Sequence, residues 1–486
     1  MLDTLIRNAR LIDGSGAESR HADVGLKDGH ITVIAESCDQ PAREQIDATG
    51  LVLAPGFIDA HTHDDMVAID RPAMTPKITQ GVTTVIAGNC GISAAPLIVG
   101  DGPVPDPLNL LGGPERFRFA TFSAWSEAVD AAGPACNIAA FIGHTALRAA
   151  QMDRFDRAAR DDEITAMTAQ LREALDHGAL GLSTGLAYPN AIHAPTEEII
   201  ALAQPLAAAG ALYCTHLRTE ADGIRDALDE AFRIGREAGV PVLVSHLKCA
   251  GVANWGRSAE VLEAVDAASE SQAIGCDCYP YAASSTTLDL KQVTDRFDIF
   301  ITWSEPHPDK AGRMLKDIAA NWETDLLTAA ARLRPAGAVY HGMHIPDVER
   351  ILSHPGVVIG SDGLPEDPRP HPRLWGAFPR VLGYFTRERK LFSLSTAVRK
   401  MTGLTADRFR LKDRGYVREG YYADLVLFDA EQIADAATFA DPIQPARGIH
   451  TVWVNGQMAL KDGKPTTSRA GRFLPRQPKD SDHERR

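Results

Sequence analysis

Apolar and polar positions alternate in two different ways along this chain. Over the first fifty residues, short apolar runs at 5–11, 24–26, 31–34 and 51–53 are separated by Gly and Asp turns, which predicts strands. The same texture returns near the end, at 423–428 and 451–454, followed by Asn455-Gly456, the signature of a tight turn. Two β-rich ends around a different middle predict one small β-sandwich built from residues 1–54 and 415–464. From Pro465 to 486 the sequence is rich in Pro, Arg, Ser and Asp and predicts a loose tail.

The middle, 55–414, alternates apolar strands with helical patterns. Eight strand candidates occur at 57–61, 83–87, 137–142, 179–183, 211–216, 241–246, 273–279 and 357–361. Between them, Ile164, Met167, Leu171 and Leu175 recur at helical spacing before His177-Gly178, and Ile224, Leu228 and Phe232 do so before Gly239. Eight such units predict an α/β fold of the (β/α)₈ TIM-like barrel type rather than an open sheet. The eighth strand comes late, so residues 288–352 are expected to be an insert before it.

Composition narrows the function classes. The 486 residues carry 64 acidic against 50 basic side chains, a formal charge of −14, which argues against nucleic acid or an anionic membrane as partner. Seven scattered cysteines do not form a secreted disulfide framework. The N-terminus lacks a signal-like apolar run, and the stretch 199–213 is too interrupted to span a bilayer. The expectation is a soluble, cytoplasmic protein.

Candidate chemistry lies at strand ends. His61 and His63 end the first candidate strand, Cys90 follows the second, His216 ends the fifth, His246 the sixth, and Asp362 follows the eighth. Singly, each has a plainer reading: paired polar groups, a small buried thiol, a Ser361-Asp362-Gly363 turn. A barrel, however, turns the C-terminal ends of all its strands toward one mouth, where these six metal-competent side chains converge. Thiolate with imidazole suits Zn²⁺ better than Mg²⁺ or Ca²⁺. His144, after the third strand, also lies near the mouth and is assigned no role.

Longer motifs then identify a resemblance. Pro55-Gly56-Phe57-Ile58-Asp59-Ala60-His61-Thr62-His63, Gln80-Gly81-Val82-Thr83-Thr84 and Gly360-Ser361-Asp362-Gly363 resemble the amidohydrolase superfamily. Gly88-Asn89-Cys90-Gly91, Ser183-Thr184-Gly185-Leu186, Ser245-His246-Leu247-Lys248, Tyr279-Pro280-Tyr281 and His371-Pro372-Arg373 are similar to the N-acyl-D-amino-acid deacylases within it. The resemblance implies zinc-dependent hydrolysis of a linear amide, with one zinc held tightly by Cys90, His216 and His246. It further implies a weaker second metal site lined by His61, His63 and Asp362, and Asp362 as catalytic acid–base. Lys248, Tyr279 and Arg373 are implied to bind the substrate carboxylate, making the pocket locally basic.

The side chain of the D-amino acid is left open among glutamate, aspartate and a hydrophobic residue. The run after the seventh strand, from Ser284 to Gln292, offers Lys291 where glutamate-preferring members have an arginine. Two rivals stand beside this reading. A cyclic-amide hydrolase of the hydantoinase or dihydroorotase kind would carry a bridging lysine after the fourth strand, where this chain has Ser183-Thr184-Gly185. A catalytically inactive barrel serving as a binding protein would have lost ligands, and all six are present.

Overall fold

The computed structural model describes residues 1–477. Eight strands of the middle run parallel: Phe57–Asp59, Val82–Ala87, Asn137–Ala140 continuing as Ile142–Gly143, Gly181–Gly185, Leu212–His216, Val242–Val244, Ile274–Cys278 and Val357–Ile359. Two joins close the ring. The Leu180 N–H donates to Ala140 C=O at 2.8 Å, linking third and fourth strands, and the Ala60 N–H donates to Ile359 C=O at 3.1 Å, linking first and eighth. The barrel is therefore complete, as the strand count predicts.

Period-two alternation decides what the barrel holds. Ile58, Ile86, Ala139, Phe141, Leu212, Cys214, Leu243 and Val358 form a buried cluster inside it. On the fifth strand the inward series Leu212, Cys214 continues to His216, and on the seventh the position two beyond Gly275 is Asp277. Outside, helices such as Asp161–Asp176 and Ile224–Ala238 bury one face each. In the latter, Ile224, Leu228, Ala231 and Phe232 are buried, and the helix stops at Gly239, whose φ of 69° a side chain would resist.

The insert is a four-stranded antiparallel sheet, Ser284–Thr287, Ile299–Ser304, Arg313–Met314 and Ala336–Tyr340, carrying helices Leu315–Asn321 and Leu326–Leu333 over its own small core. It begins before residue 288 and ends well before 352. Residues Ile345–Ser353 are instead a helix whose Val348, Ile351 and Leu352 join the main core, a barrel helix that the sequence pattern had assigned to the insert.

The two ends of the chain meet in one nine-stranded sheet. Val52–Pro55 pairs with Leu2–Leu11 on one side and with Leu425–Phe428 on the other. The turn at Gly29 receives the Ala423 N–H at 2.9 Å and His30 bridges to Tyr422, so the sheet folds over its own core of Ile6, Val24, Leu26, Leu53, Leu425 and Trp453. A further strand, Ala42–Asp47, has no apolar run to announce it.

Residues 466–477 are packed rather than loose. The Ile138 N–H donates to Arg472 C=O at 2.9 Å and the Leu474 N–H to Ile138 C=O at 2.7 Å, while Phe473 packs edgewise on Phe122 and Trp125. The apolar pair Phe473-Leu474 supplies the anchor that overall composition concealed. The remainder of the expected tail, 478–486, lies outside the described residues. Among the described residues no helix is long and apolar enough to cross a membrane.

Candidate metal centre

Three of the six candidate ligands stand on left-handed backbone: Cys90 at φ 56°, His246 at φ 36° and Asp362 at φ 51°. Such conformations are disfavoured for residues with a side chain and persist where surrounding structure enforces them. Each lies just past a barrel strand, where the sharp turn throws the side chain across the mouth. Around Cys90 the enforcement is visible. Gly88 has φ 71°, and a Cβ there would sit 2.1 Å from Phe141 O. Ser183 Oγ accepts the Gly91 N–H at 3.0 Å and donates to Gly88 C=O at 2.5 Å, clasping both sides of the turn.

The convergence is tight. His61 Nε2 and His246 Nε2 each lie 3.2 Å from Cys90 Sγ. Asp362 Oδ1 is 3.5 Å from His61 Nε2 and 3.3 Å from His63 Nε2. Ligand atoms of His61, Cys90, His246 and Asp362 all fall within 4.8 Å of one another, and His216 joins through His246 and Glu220 in a second such group. The His216 and His246 rings meet edge to face at 4.5 Å. All six residues are thus brought to one place.

Protonation fits a cation. Burial lowers His246 to about 3, helped by Lys248, and His216 to about 4, so both rings are neutral with a lone pair free near neutral pH. Burial pushes the Cys90 thiol well up, so its thiolate requires a positive charge beside it. Burial pushes Asp362 up most strongly, but Arg373, His246, His63 and His61 together outweigh it and hold the carboxyl well below its usual range. His63 Nδ1 and His216 Nδ1 are buried without a protein partner. One sulfur, several imidazole nitrogens and a carboxylate form a donor set suited to zinc.

The three candidate substrate-binding residues also assemble. Lys248 Nζ lies 5.7 Å and the Arg373 guanidinium 4.7 Å from the centre of the Tyr279 ring. Burial keeps Tyr279 a neutral phenol. The pocket is not a simple surplus of positive charge, though. Lys248 is paired with Glu220 at 2.5 Å and Arg373 with Asp362 at 2.8 Å, so both cations are already balanced. A cavity of ≈450 Å³ opens above, lined by His63, Tyr188, His216 and Asp362 on the barrel side and by the insert's segment from Ser284 to Gln292. Lys291 borders that cavity and is exposed.

Sequence reasoning missed two acids. Asp277 Oδ2 lies 3.2 Å from His61 Nδ1, and its Oδ1 accepts the His246 N–H at 2.9 Å. Its inward register on the seventh strand was the available signal. Glu220 lies 2.9 Å from His246 Nδ1; its position four residues after His216 was the only hint. His144 is not part of the site: it is buried against Glu198 at 3.0 Å, which also pairs with Arg148.

The chain is similar to known proteins along nearly its whole length. The model of the amidohydrolase family matches residues 44–459. The chain belongs to that family. An N-acyl-D-aspartate deacylase of Alcaligenes xylosoxydans xylosoxydans is 49% identical to this amidohydrolase over 97% of this chain and 95% of its own. A crystal structure of D-aminoacylase is similar at TM-score 0.96 and 50% identity, covering 98% of this chain and 100% of that one. The N-acyl-D-glutamate deacylase of Bordetella bronchiseptica, solved with zinc and a phosphonate mimic of the tetrahedral intermediate, is similar at TM-score 0.93 and 45% identity, covering 98% of this chain and 99% of that one.

Proposed function

We propose that this amidohydrolase is a zinc-dependent deacylase that cleaves N-acyl-D-amino acids into a free D-amino acid and a carboxylate. One observation carries the reading: a buried cysteine thiol, flanked at 3.2 Å by two histidine nitrogens, faces a carboxylate that is itself ion-paired to Arg373 at a barrel mouth. The similar proteins named above act on amides of this kind, which supports the substrate class. The end of the fourth strand holds Ser183 as the clasp on the Cys90 turn, a different use from the lysine bridge expected of a cyclic-amide hydrolase.

Cys90, His216 and His246 would hold the zinc, and His61, His63 and Asp362 would line the weaker second site. When bound, zinc supplies Lewis acidity toward the acyl oxygen and lowers the pKa of a water. Lys248, Tyr279 and Arg373 bind the substrate α-carboxylate, two cations around one phenol O–H, and so fix the scissile amide relative to Asp362. Asp362 accepts a proton from the attacking water and delivers it to the departing nitrogen. All seven cysteines are free and buried, which supports a reducing, cytoplasmic setting for a thiolate-dependent site. The metal-bearing unit is read as 55–414, flanked by the sandwich halves 1–54 and 415–464.

The test combines metal and substrate. Purified protein is expected to contain about one tightly held zinc per chain, absent from Cys90→Ala, and to hydrolyse N-acetyl-D-amino acids but not their L-enantiomers. Zinc retained in Cys90→Ala, or turnover of the L-series, overturns the reading. Comparing D-Glu, D-Asp, D-Leu and D-Trp derivatives in the same assay fixes the side chain.

A further inference from the structure

Glu220 lies within ligand distance of His216 and His246, yet its contact with Lys248 points to a different role. Its Oε1 lies 2.9 Å from His246 Nδ1 and 2.5 Å from Lys248 Nζ, while Oε2 is 4.0 Å from His216 Nε2. It stands on the far side of the His246 ring from Cys90, whose Sγ faces His246 Nε2 at 3.2 Å. A metal bound through His246 Nε2 would lie on the Cys90 side of the ring, and Glu220 meets the opposite nitrogen. Lys248 Nζ also approaches His246 Nδ1 directly, at 2.8 Å.

That last contact poses a chemical problem. A neutral imidazole has one N–H and one lone pair. If the Lys248 ammonium donated to Nδ1, the ring proton would be driven onto Nε2, and the nitrogen facing Cys90 would have no lone pair to offer. A carboxylate touching both resolves the competition, because its Oε1 can accept from the Nδ1–H and from the ammonium. His61 shows the same design without the lysine: Asp277 sits 3.2 Å from its Nδ1, and its Nε2 also points at Cys90 at 3.2 Å. Two rings thus converge on one sulfur, each backed by an acid.

We propose that Glu220 is a positioning residue that fixes the Nδ1–H tautomer of His246 while docking Lys248, and so lets an ammonium group for the substrate carboxylate stand beside a metal ligand without disabling it. This rests on the zinc-deacylase reading. Groups that orient ligating histidines typically contribute about 10–100-fold in metal affinity. The lysine gives the idea its distinctive signature: the damage done by losing Glu220 comes partly from Lys248, so removing both is less harmful to zinc binding than removing Glu220 alone.

The experiment is a double-mutant cycle read as zinc affinity of the full chain, by competition with a chromophoric chelator. Glu220→Ala and the same-sized Glu220→Gln are expected to weaken zinc, the former by about 10–100-fold. Lys248→Met alone leaves zinc affinity unchanged and raises KM. Adding Lys248→Met to either Glu220 variant restores part of the lost affinity. Wild-type zinc affinity in both Glu220 variants, or no recovery in the double variants, overturns the proposal. If circular dichroism shows that Glu220→Ala does not fold, the Glu220→Gln arm decides alone. Cys90→Ala run alongside separates the two readings: if it loses zinc while the Glu220 variants do not, only this inference falls, and if it keeps zinc the deacylase reading falls with it.

Discussion

Asp362 is gripped through both oxygens, Oδ1 by His63 and His61 and Oδ2 by Arg373 at 2.8 Å. Arg373 is fully buried, and its other terminal nitrogen donates to Ser285 C=O at 2.9 Å, so the guanidinium is fixed from two directions. The carboxylate is thereby kept ionised and aimed, ready to take a proton but not to wander. Asp362→Asn preserves size and leaves Cys90, His216 and His246 intact. It is expected to retain the tight zinc while losing about 10²–10⁴-fold in turnover, the usual worth of a positioned acid–base group. A fully active variant would remove Asp362 from the mechanism. At this scale the sequence exposed His61, His63, Cys90, His216, His246 and Asp362, because they carry recognisable metal-binding types at strand ends. It concealed Asp277 and Glu220, which work through another side chain and leave no mark in their own motifs.

Among the elements, the Cys90 turn depends most on its neighbours. Gly88, Cys90 and Gly91 are all left-handed, with φ of 71°, 56° and 74°, and Ser183 on the fourth strand supplies the hydrogen bonds that hold them so. Ser183→Ala leaves the buried Gly91 N–H unpaired, a cost of about 1–3 kcal/mol. The expected outcome is a lower urea midpoint together with faster zinc loss to chelator; a lower midpoint with unchanged zinc retention would limit Ser183 to stability. The barrel strands were legible because they are apolar and regularly spaced. The strand Ala42–Asp47 was not, since its exposed edge demands no apolar run, and the helix Ile345–Ser353 was hidden behind an insert whose end carries no composition change.

Over the whole molecule, acidic residues outnumber basic ones, while at the mouth Lys248 and Arg373 are each paired with an acid. An incoming carboxylate must therefore compete with Glu220 and Asp362 for Lys248 and Arg373, which favours a substrate that also gains contacts elsewhere in the ≈450 Å³ cavity. Near the end of the described chain, Phe473 packs into the main core beside Phe122 and Trp125. Phe473→Ala is expected to cost about 3 kcal/mol of stability, within the range for truncating a buried aromatic, with kcat unchanged at low temperature. A variant as stable as wild type would show that this segment merely rests on the barrel.

The pairing of Val52–Pro55 with Leu425–Phe428 has a consequence for how the protein is made. During synthesis the first five strands leave the ribosome long before their partner exists, and they must wait, with one apolar edge unpaired, while nearly the whole barrel is translated. The segment that seals the third barrel strand at Ile138 arrives later still. Nascent chains stalled before residue 425 should accordingly need a holding chaperone that the released protein does not.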